Sequence, residues 1–181
     1  AQRLIQMIQD IIRLSKLDEA ESSWEKEWVE MDPLAAEVAE RLRPQVEKKE
    51  LLLSVETEPI QFYGVKQVLI EILYNLCDNA IRYNKPGGKV CLRVKRTGEE
   101  LLLEVADTGI GIAKEEQERI FERFYRVDAS RSAQSGGTGL GLSIVKHGVA
   151  LHGGRISMES QLDEGTVMKI IPVSYTHLRA H

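Results

Sequence analysis

Long apolar runs are absent: no stretch of this 181-residue chain approaches the roughly 18 consecutive apolar residues that a membrane-crossing helix needs, and no signal-peptide pattern opens it. No membrane contact is therefore expected of it. A surplus of either charge is missing too, since 24 Lys and Arg stand against 28 Asp and Glu, a net charge of -4. Without a basic footprint, nucleic acid is not an expected partner. Cysteine is scarce, and Cys77 and Cys91 lie within apolar segments without metal-ligand spacing. Both read as reduced core residues of a cytosolic domain. What remains, 43% hydrophobic and 29% charged residues, is the composition of a soluble globular protein, long enough for one domain with an appendage.

Against that background one stretch stands out, G-G-T-G-L-G-L-S-I-V from Gly136 to Val145. Four glycines within six residues let the backbone take positive φ and approach a ligand closely, and a helical pattern follows at once. Backbone N–H groups at such a junction attract phosphate. No Lys-Ser or Lys-Thr closes the loop, so it is not a Walker A sequence. The residues before it, 126–135, are polar and strand-poor, which excludes a dinucleotide fingerprint. Taken alone, a flexible turn before a helix reads the same way.

In chain order, Leu4, Ile5, Ile8, Ile11, Ile12, Leu14 and Leu17 fall on one face of a helix over residues 1–21. Such a stripe must pack either on its own domain or on another helix in a dimer. After a polar boundary, Trp28, Val29 and Met31 predict a short edge strand, and Asp32-Pro33 a helix cap with proline at the first helical position. The helix that follows, to about Lys49, buries Leu34, Val38, Leu42 and Val46 and should bend or shorten at Pro44. Leu51 to Glu56 reads as a strand.

From Gly64 to Tyr83, Val68, Leu69, Ile70, Ile72, Leu73, Leu76, Cys77, Ala80 and Ile81 cover most of a helix surface, so this helix should be deeply buried. Glu71, Asn75 and Asn79 stand four apart on one narrow stripe. Buried polar groups are costly without partners, so three in register beside Asp78 and Arg82 imply a shared polar site; a stripe turned to solvent is the alternative.

Residues 84–88 form a turn, and Lys89 to Arg96 and Leu101 to Ala106 pair as strands across Thr97-Gly98. Asp107-Thr108-Gly109-Ile110-Gly111 then places a carboxylate at a strand end where glycines turn the chain away. Ala113 to Arg119 reads as a short charged helix. Phe121 and Phe124 are expected to anchor a polar segment running to Ser135, a candidate lid whose Arg126 and Arg131 reach toward phosphate. The last helix runs to about Leu151 and ends at His152-Gly153-Gly154. Arg155 to Gln161 and Gly165 to Val173 make a final hairpin, and residues 174–181, without periodicity, read as a non-native tail.

Four signals thus occur in one order: E-x-x-x-N-x-x-D-N-A at 71–80, D-T-G-I-G at 107–111, F-E-R-F-Y at 121–125 and G-G-T-G-L-G-L at 136–142. Together they resemble the N, first glycine, F and second glycine boxes of the sensor histidine kinase ATP-binding domain, with Gly165-Thr166 as a last short element. The resemblance covers roughly residues 28–173 and is nearest the phosphate-regulon type, judged by N-A-I-R-Y-N-K-P-G-G and R-F-Y-R-V-D. Residues 1–21, ending in L-S-K-L-D, resemble the second helix of that family's dimerisation and phosphoacceptor hairpin, with 22–27 as linker. The helix carrying the acceptor histidine is not found here, so no catalytic residue is expected in this segment. His147 and His152 read as helix-surface and helix-end residues.

The resemblance implies an α+β fold: a two-layer α/β sandwich of the Bergerat type, its mixed sheet covered by three helices, with an added N-terminal helix. It implies ATP and Mg²⁺ as ligands, with Asn75 on the metal, Asn79 and Arg82 near the phosphates and Tyr83 stacked on adenine. Asp107 would accept the adenine amino group, Gly109 and Gly111 would let the base approach, and Thr166 would support that contact. Gly137, Thr138, Gly139, Leu140 and Gly141 would fold over the triphosphate, with Arg126 and Arg131 as lid contacts. Glu71 matches a position that activates water in related hydrolytic ATPases, a role not expected in kinases. The implied partners are the phosphoacceptor hairpin and a response regulator, in a homodimeric, membrane-anchored parent whose cytoplasmic portion this would be. Two other readings stay open: a nucleotide-binding regulatory module without chemistry, and a hydrolytic ATPase of the same GHKL superfamily.

Two positions depart from the family pattern. Val65 replaces an aspartate that would cap the helix after it. Gly148 interrupts the last helix where a bulky apolar residue is commoner, at about 1 kcal/mol relative to alanine.

Overall fold

In the computed structural model, which describes residues 1–19, 24–127, 136–174 and 179–180, the chain opens with helix α1 (Gln2–Glu19). There follow β1 (Glu27–Glu30), α2 (Met31–Lys48), β2 (Leu52–Thr57), β3 (Ile60–Gly64), α3 (Lys66–Arg82), β4 (Lys89–Thr97) and β5 (Glu100–Asp107). Beyond two 3-10 turns, Lys114–Glu116 and Arg119–Phe121, come α4 (Gly141–Leu151), β6 (Arg155–Gln161), β7 (Gly165–Ile171) and β8 (Arg179–Ala180).

Five strands form one mixed sheet in the order β2-β4-β5-β7-β6, with β2 parallel to β4 and the other pairs antiparallel. Alternate residues of the central strands, Val90, Leu92 and Val94 on β4 and Leu101, Leu103 and Val105 on β5, are buried beneath the helices, as strand periodicity requires. Helix α3 crosses β4 and β5 and is flanked by α2 and α4, so three helices cover the sheet. All nine apolar residues assigned to α3 are buried, and this two-layer sandwich is the architecture expected from the sequence. Cys77 lies in that core, Cys91 is half-buried, and the two are not bonded.

Several expectations are corrected. A strand at Ile60–Gly64 was not foreseen, although I-Q-F-Y-G alternates buried and half-buried residues. It pairs antiparallel with β1 and β8 in a separate three-stranded sheet, so residues set aside as a tail contribute two pairings, Ile60 with Ala180 and Gln61 with Arg179. Helix α2 starts at Met31, with Glu30 as its N-cap and no side-chain cap, so Asp32 and Pro33 lie inside its first turn. It also continues past Pro44 to Lys48, so it is not shortened there. Pro44 is exposed, while Leu34, Ala35, Val38, Leu42 and Val46 bury the opposite face, and that packing outweighs one lost hydrogen bond. The charged segment after Ala113 forms 3-10 turns instead of an α-helix, and Phe124 is 52% exposed at φ 63°, leaving Phe121 as the anchor.

Helix α1 docks on α4 of its own domain. Only the C-terminal end of its stripe is used: Leu14 and Leu17 are buried, whereas Leu4, Ile5, Ile8, Ile11 and Ile12 are exposed. No described helix is long and apolar enough to cross a membrane.

Candidate functional site

Of the polar stripe of α3, Asn75 meets the glycine loop at the start of α4. Asn75 Nδ2 donates to the carbonyl of Glu71, 2.8 Å away, one turn earlier. That bond commits the amide nitrogen and turns Oδ1 outward, so a Cβ added to Gly141 would sit 3.1 Å from it. An amide oxygen beside the first turn of a helix is a neutral donor fit for a hard cation, next to N–H groups fit for an anion. Asn79, one turn further along the stripe, is half-buried.

At the end of α3, Arg82 Nε donates to Asp78 Oδ2 at 2.7 Å, and its guanidinium lies against Gly136. Tyr83 closes the helix, with its hydroxyl 3.7 Å from where a Gly137 side chain would begin. The Arg126 guanidinium meets the same residue and donates to the Gly137 carbonyl. Arg82, Tyr83 and Arg126 thus meet at Gly136 and Gly137, while Arg131 lies outside the described residues. Lys49 supports this end from below, donating to the carbonyls of Ile81 and Arg82 at 3.0 and 2.5 Å. Burial, and then the charge of Arg82, hold its pKa below the ordinary lysine value.

Asp107 ends β5 at the other side of Tyr83. Its Oδ1 accepts the Gly109 N–H at 2.8 Å, and it stands opposite Thr166 in the sheet register. Burial pushes its carboxyl above the usual value, an effect reduced by the N–H groups of Gly109 and Thr166. A side chain at Gly109 would meet the Tyr83 carbonyl at 2.4 Å, so glycine there lets the turn pass under the helix end. Gly111, at φ 70°, packs its Cα against the Gln161 carbonyl and serves the β6–β7 turn. Thr166 Oγ1 lies 2.7 Å from Ser160 Oγ.

Within the loop, the residues do different things. Gly139, at φ 78°, accepts the Phe124 N–H at 3.0 Å. Leu140 sends its side chain into the core and its N–H to Thr138 Oγ1 at 3.3 Å, so it can offer little but backbone. Thr138 is buried and donates to Asp10 of α1 at 2.7 Å. Sequence reasoning missed Asp10 altogether, because nothing in a helical charge pattern marks a contact made 128 residues away.

Around the same seam, Arg13 Nε lies 3.8 Å from Glu71 Oε1, and Asp18 meets both Arg123 at 2.6 Å and His147 at 3.0 Å. Burial raises the Glu71 pKa, while the Gln67 hydrogen bond and Arg13 pull it down. Among the described residues no group of three or more His, Cys, Asp or Glu is placed to hold a metal ion. A groove of about 720 Å³ along Ile112, Lys114, Gln117, Ser160 and Leu162 is lined by none of the site residues expected from the sequence.

The comparisons with known proteins bear on the family and the fold. The family model described as histidine kinase-, DNA gyrase B- and HSP90-like ATPase matches residues 64–174. The sensor-like histidine kinase SenX3 of Mycolicibacterium smegmatis is 36% identical over 180 residues, covering 99% of this chain and 47% of that protein. The sensor histidine kinase WalK of Bacillus subtilis is 34% identical over 170 residues, covering 92% and 28%. Among solved structures, full-length ShkA in complex with AMPPNP superposes with a TM-score of 0.82 at 26% identity, over 93% of this chain and 35% of that one. The mycobacterial sensor histidine kinase MprB gives 0.73 at 29% identity, over 87% and 100%. The chain therefore spans less than half the length of these two curated relatives.

Proposed function

The chain belongs to the histidine kinase-, DNA gyrase B- and HSP90-like ATPase family, and from that membership we propose that it is the ATP-binding catalytic domain of a two-component sensor histidine kinase. The observation that carries this reading is Asn75, whose Oδ1 is aimed at the first turn of α4 by the bond from its own amide nitrogen to Glu71. Asn75 would hold Mg²⁺ on the protein side, and the metal would supply charge neutralisation for the phosphates.

The remaining roles are those the family resemblance implies. Asn79 and Arg82 flank the phosphates, and Arg126 and the loop from Gly137 to Gly141 close over them. Tyr83 stacks on the adenine, and Asp107 accepts its amino group. Gly109 holds that end open, and Gly111 and Thr166 support it through the β6–β7 turn and the sheet. Phosphoryl transfer asks chiefly for alignment and charge stabilisation, and N–H groups at the start of α4 with two arginines provide both.

The nucleophile is a neutral imidazole nitrogen. It forms a bond to the γ-phosphorus while the bond to the bridging oxygen breaks and ADP leaves. His152 is buried with both ring nitrogens hydrogen-bonded, and His147 is held by Asp18, so neither is presented for attack. The family resemblance puts the acceptor on a dimerisation hairpin, to which residues 1–21 would contribute a second helix, with 22–27 as linker and 28–173 as the catalytic domain. Homodimerisation, phosphorelay to a response regulator and membrane anchoring of the parent belong to the same proposal.

Incubation with γ-labelled Mg-ATP and a separately purified acceptor hairpin tests it. Label on the hairpin histidine supports the kinase. Release of inorganic phosphate without transfer marks a hydrolytic ATPase instead, and binding with neither outcome marks a regulatory module.

A further inference from the structure

Asp10 is a carboxylate only 5% exposed, on a helix that lies outside the segment matched to the family. Three donors converge on it: Gln6 Nε2 at 3.0 Å, Arg13 Nη1 at 3.1 Å and the Thr138 hydroxyl at 2.7 Å. The first two belong to α1 itself, so Thr138 is the tie that leaves the helix. Thr138 Oγ1 in turn accepts the Leu140 N–H at 3.3 Å. One hydroxyl therefore fixes both the α1 contact and the turn that leads into α4.

Leu140 is the N-cap of α4 and provides no side-chain cap, so the N–H groups of that first turn are left without one, where Gly141 lies against Asn75 Oδ1. Where those groups point depends on how the loop is held. It is held by the Arg126 guanidinium on the Gly137 carbonyl, by the Phe124 N–H on the Gly139 carbonyl, and by Asp10 on Thr138.

We propose that Asp10 is a positioning residue for the phosphate loop, setting through Thr138 the direction of the N–H groups that receive the nucleotide's phosphates. This rests on the nucleotide-site reading above. Asp10 touches no phosphate; it acts at one remove, and a carboxylate makes the stronger, charge-assisted acceptor for that purpose.

The test compares Asp10→Ala, Asp10→Asn, Thr138→Val and the Asp10→Ala/Thr138→Val double variant in two measurements: amide exchange of residues 137–141 without nucleotide, and Mg-ATP affinity by calorimetry. Asp10→Ala should speed exchange in the loop and weaken Mg-ATP about tenfold, the size of one charge-assisted hydrogen bond. Asp10→Asn, which keeps an acceptor oxygen, should restore most of both. Thr138→Val should match Asp10→Ala, and the double variant should lose nothing further. Unchanged exchange in Asp10→Ala, or additive losses in the double variant, would overturn the proposal. The exchange measurement needs no nucleotide. If the unmodified chain fails to bind Mg-ATP, the nucleotide reading falls, while exchange still decides whether Asp10 pins the loop.

Discussion

His152 Nε2 accepts the backbone N–H of Val65 at 3.1 Å, tying the end of α4 to the start of α3 across 87 residues of sequence. The ring's Nδ1 lies 2.9 Å from the Gly148 carbonyl and donates to it, which fixes the neutral tautomer with its proton on Nδ1. Val65 has no side chain with which to cap α3, and the histidine satisfies one of the N–H groups that the helix start leaves open. The expected weakness at Val65 is thus compensated from another helix.

Protonation removes the acceptor. Burial holds the His152 pKa below its ordinary 6.5, with Lys26 also lowering it and the Gly148 bond raising it. Since the unfolded state takes up the proton first, the stabilisation is fully present above pH 6.5 and is lost as pH falls from there toward the folded-state pKa. Urea unfolding should show His152→Ala about 1–3 kcal/mol less stable at pH 7.5, the cost of a buried donor left unsatisfied. The gap between variant and parent should narrow at pH 5.5; a gap independent of pH would contradict this account.

Gly148 has a packing reason to be glycine. A methyl group there would lie 2.9 Å from Val68 Cγ1 and 3.0 Å from Ile72 Cγ1, so its absence lets α4 approach α3. Gly148→Ala should therefore destabilise by about 1–3 kcal/mol, the usual cost of overpacking, although helix propensity alone favours alanine by about 1 kcal/mol. Equal or greater stability of the variant in the same unfolding experiment would show that the interface yields.

Much of this was legible in the sequence, and for a consistent reason. The burial of α3 could be read because its apolar residues cover most of the helix and no other pattern accounts for them. The candidate site could be marked out because Asn75, Asp107 and the glycines of 136–141 are residue types that a core or a plain surface has little use for. What stayed hidden was tertiary. Pro44 is tolerated because of what the opposite face buries, and the His152 and Asp10 contacts join residues far apart in sequence. β3 was legible in its alternation and was overlooked beside the stronger helix that follows.

Asp107 separates function from stability. Its charge is held against the cost of burial, so Asp107→Asn, which keeps an acceptor for the Gly109 N–H, should leave the fold as stable at pH 7 or slightly more so. The same change presents an amide where the adenine amino group needs a full acceptor, and Mg-ATP binding should weaken at least about tenfold. Thermal unfolding and calorimetry on one sample would check both halves. A variant that binds normally would remove Asp107 from the base-recognition role. As pH falls toward the raised carboxyl pKa, the parent's affinity should decline in the same direction.

The central claim is that Asn75 holds the metal-bridged phosphates of ATP between α3 and the glycine loop. The most direct measurement is calorimetric titration of Mg-ATP into the parent chain and into Asn75→Ala, with folding of both verified by circular dichroism. The account predicts saturable binding by the parent that is lost in the variant and weakened when Mg²⁺ is withheld. No binding by the folded parent, or equal binding by both proteins, would contradict it.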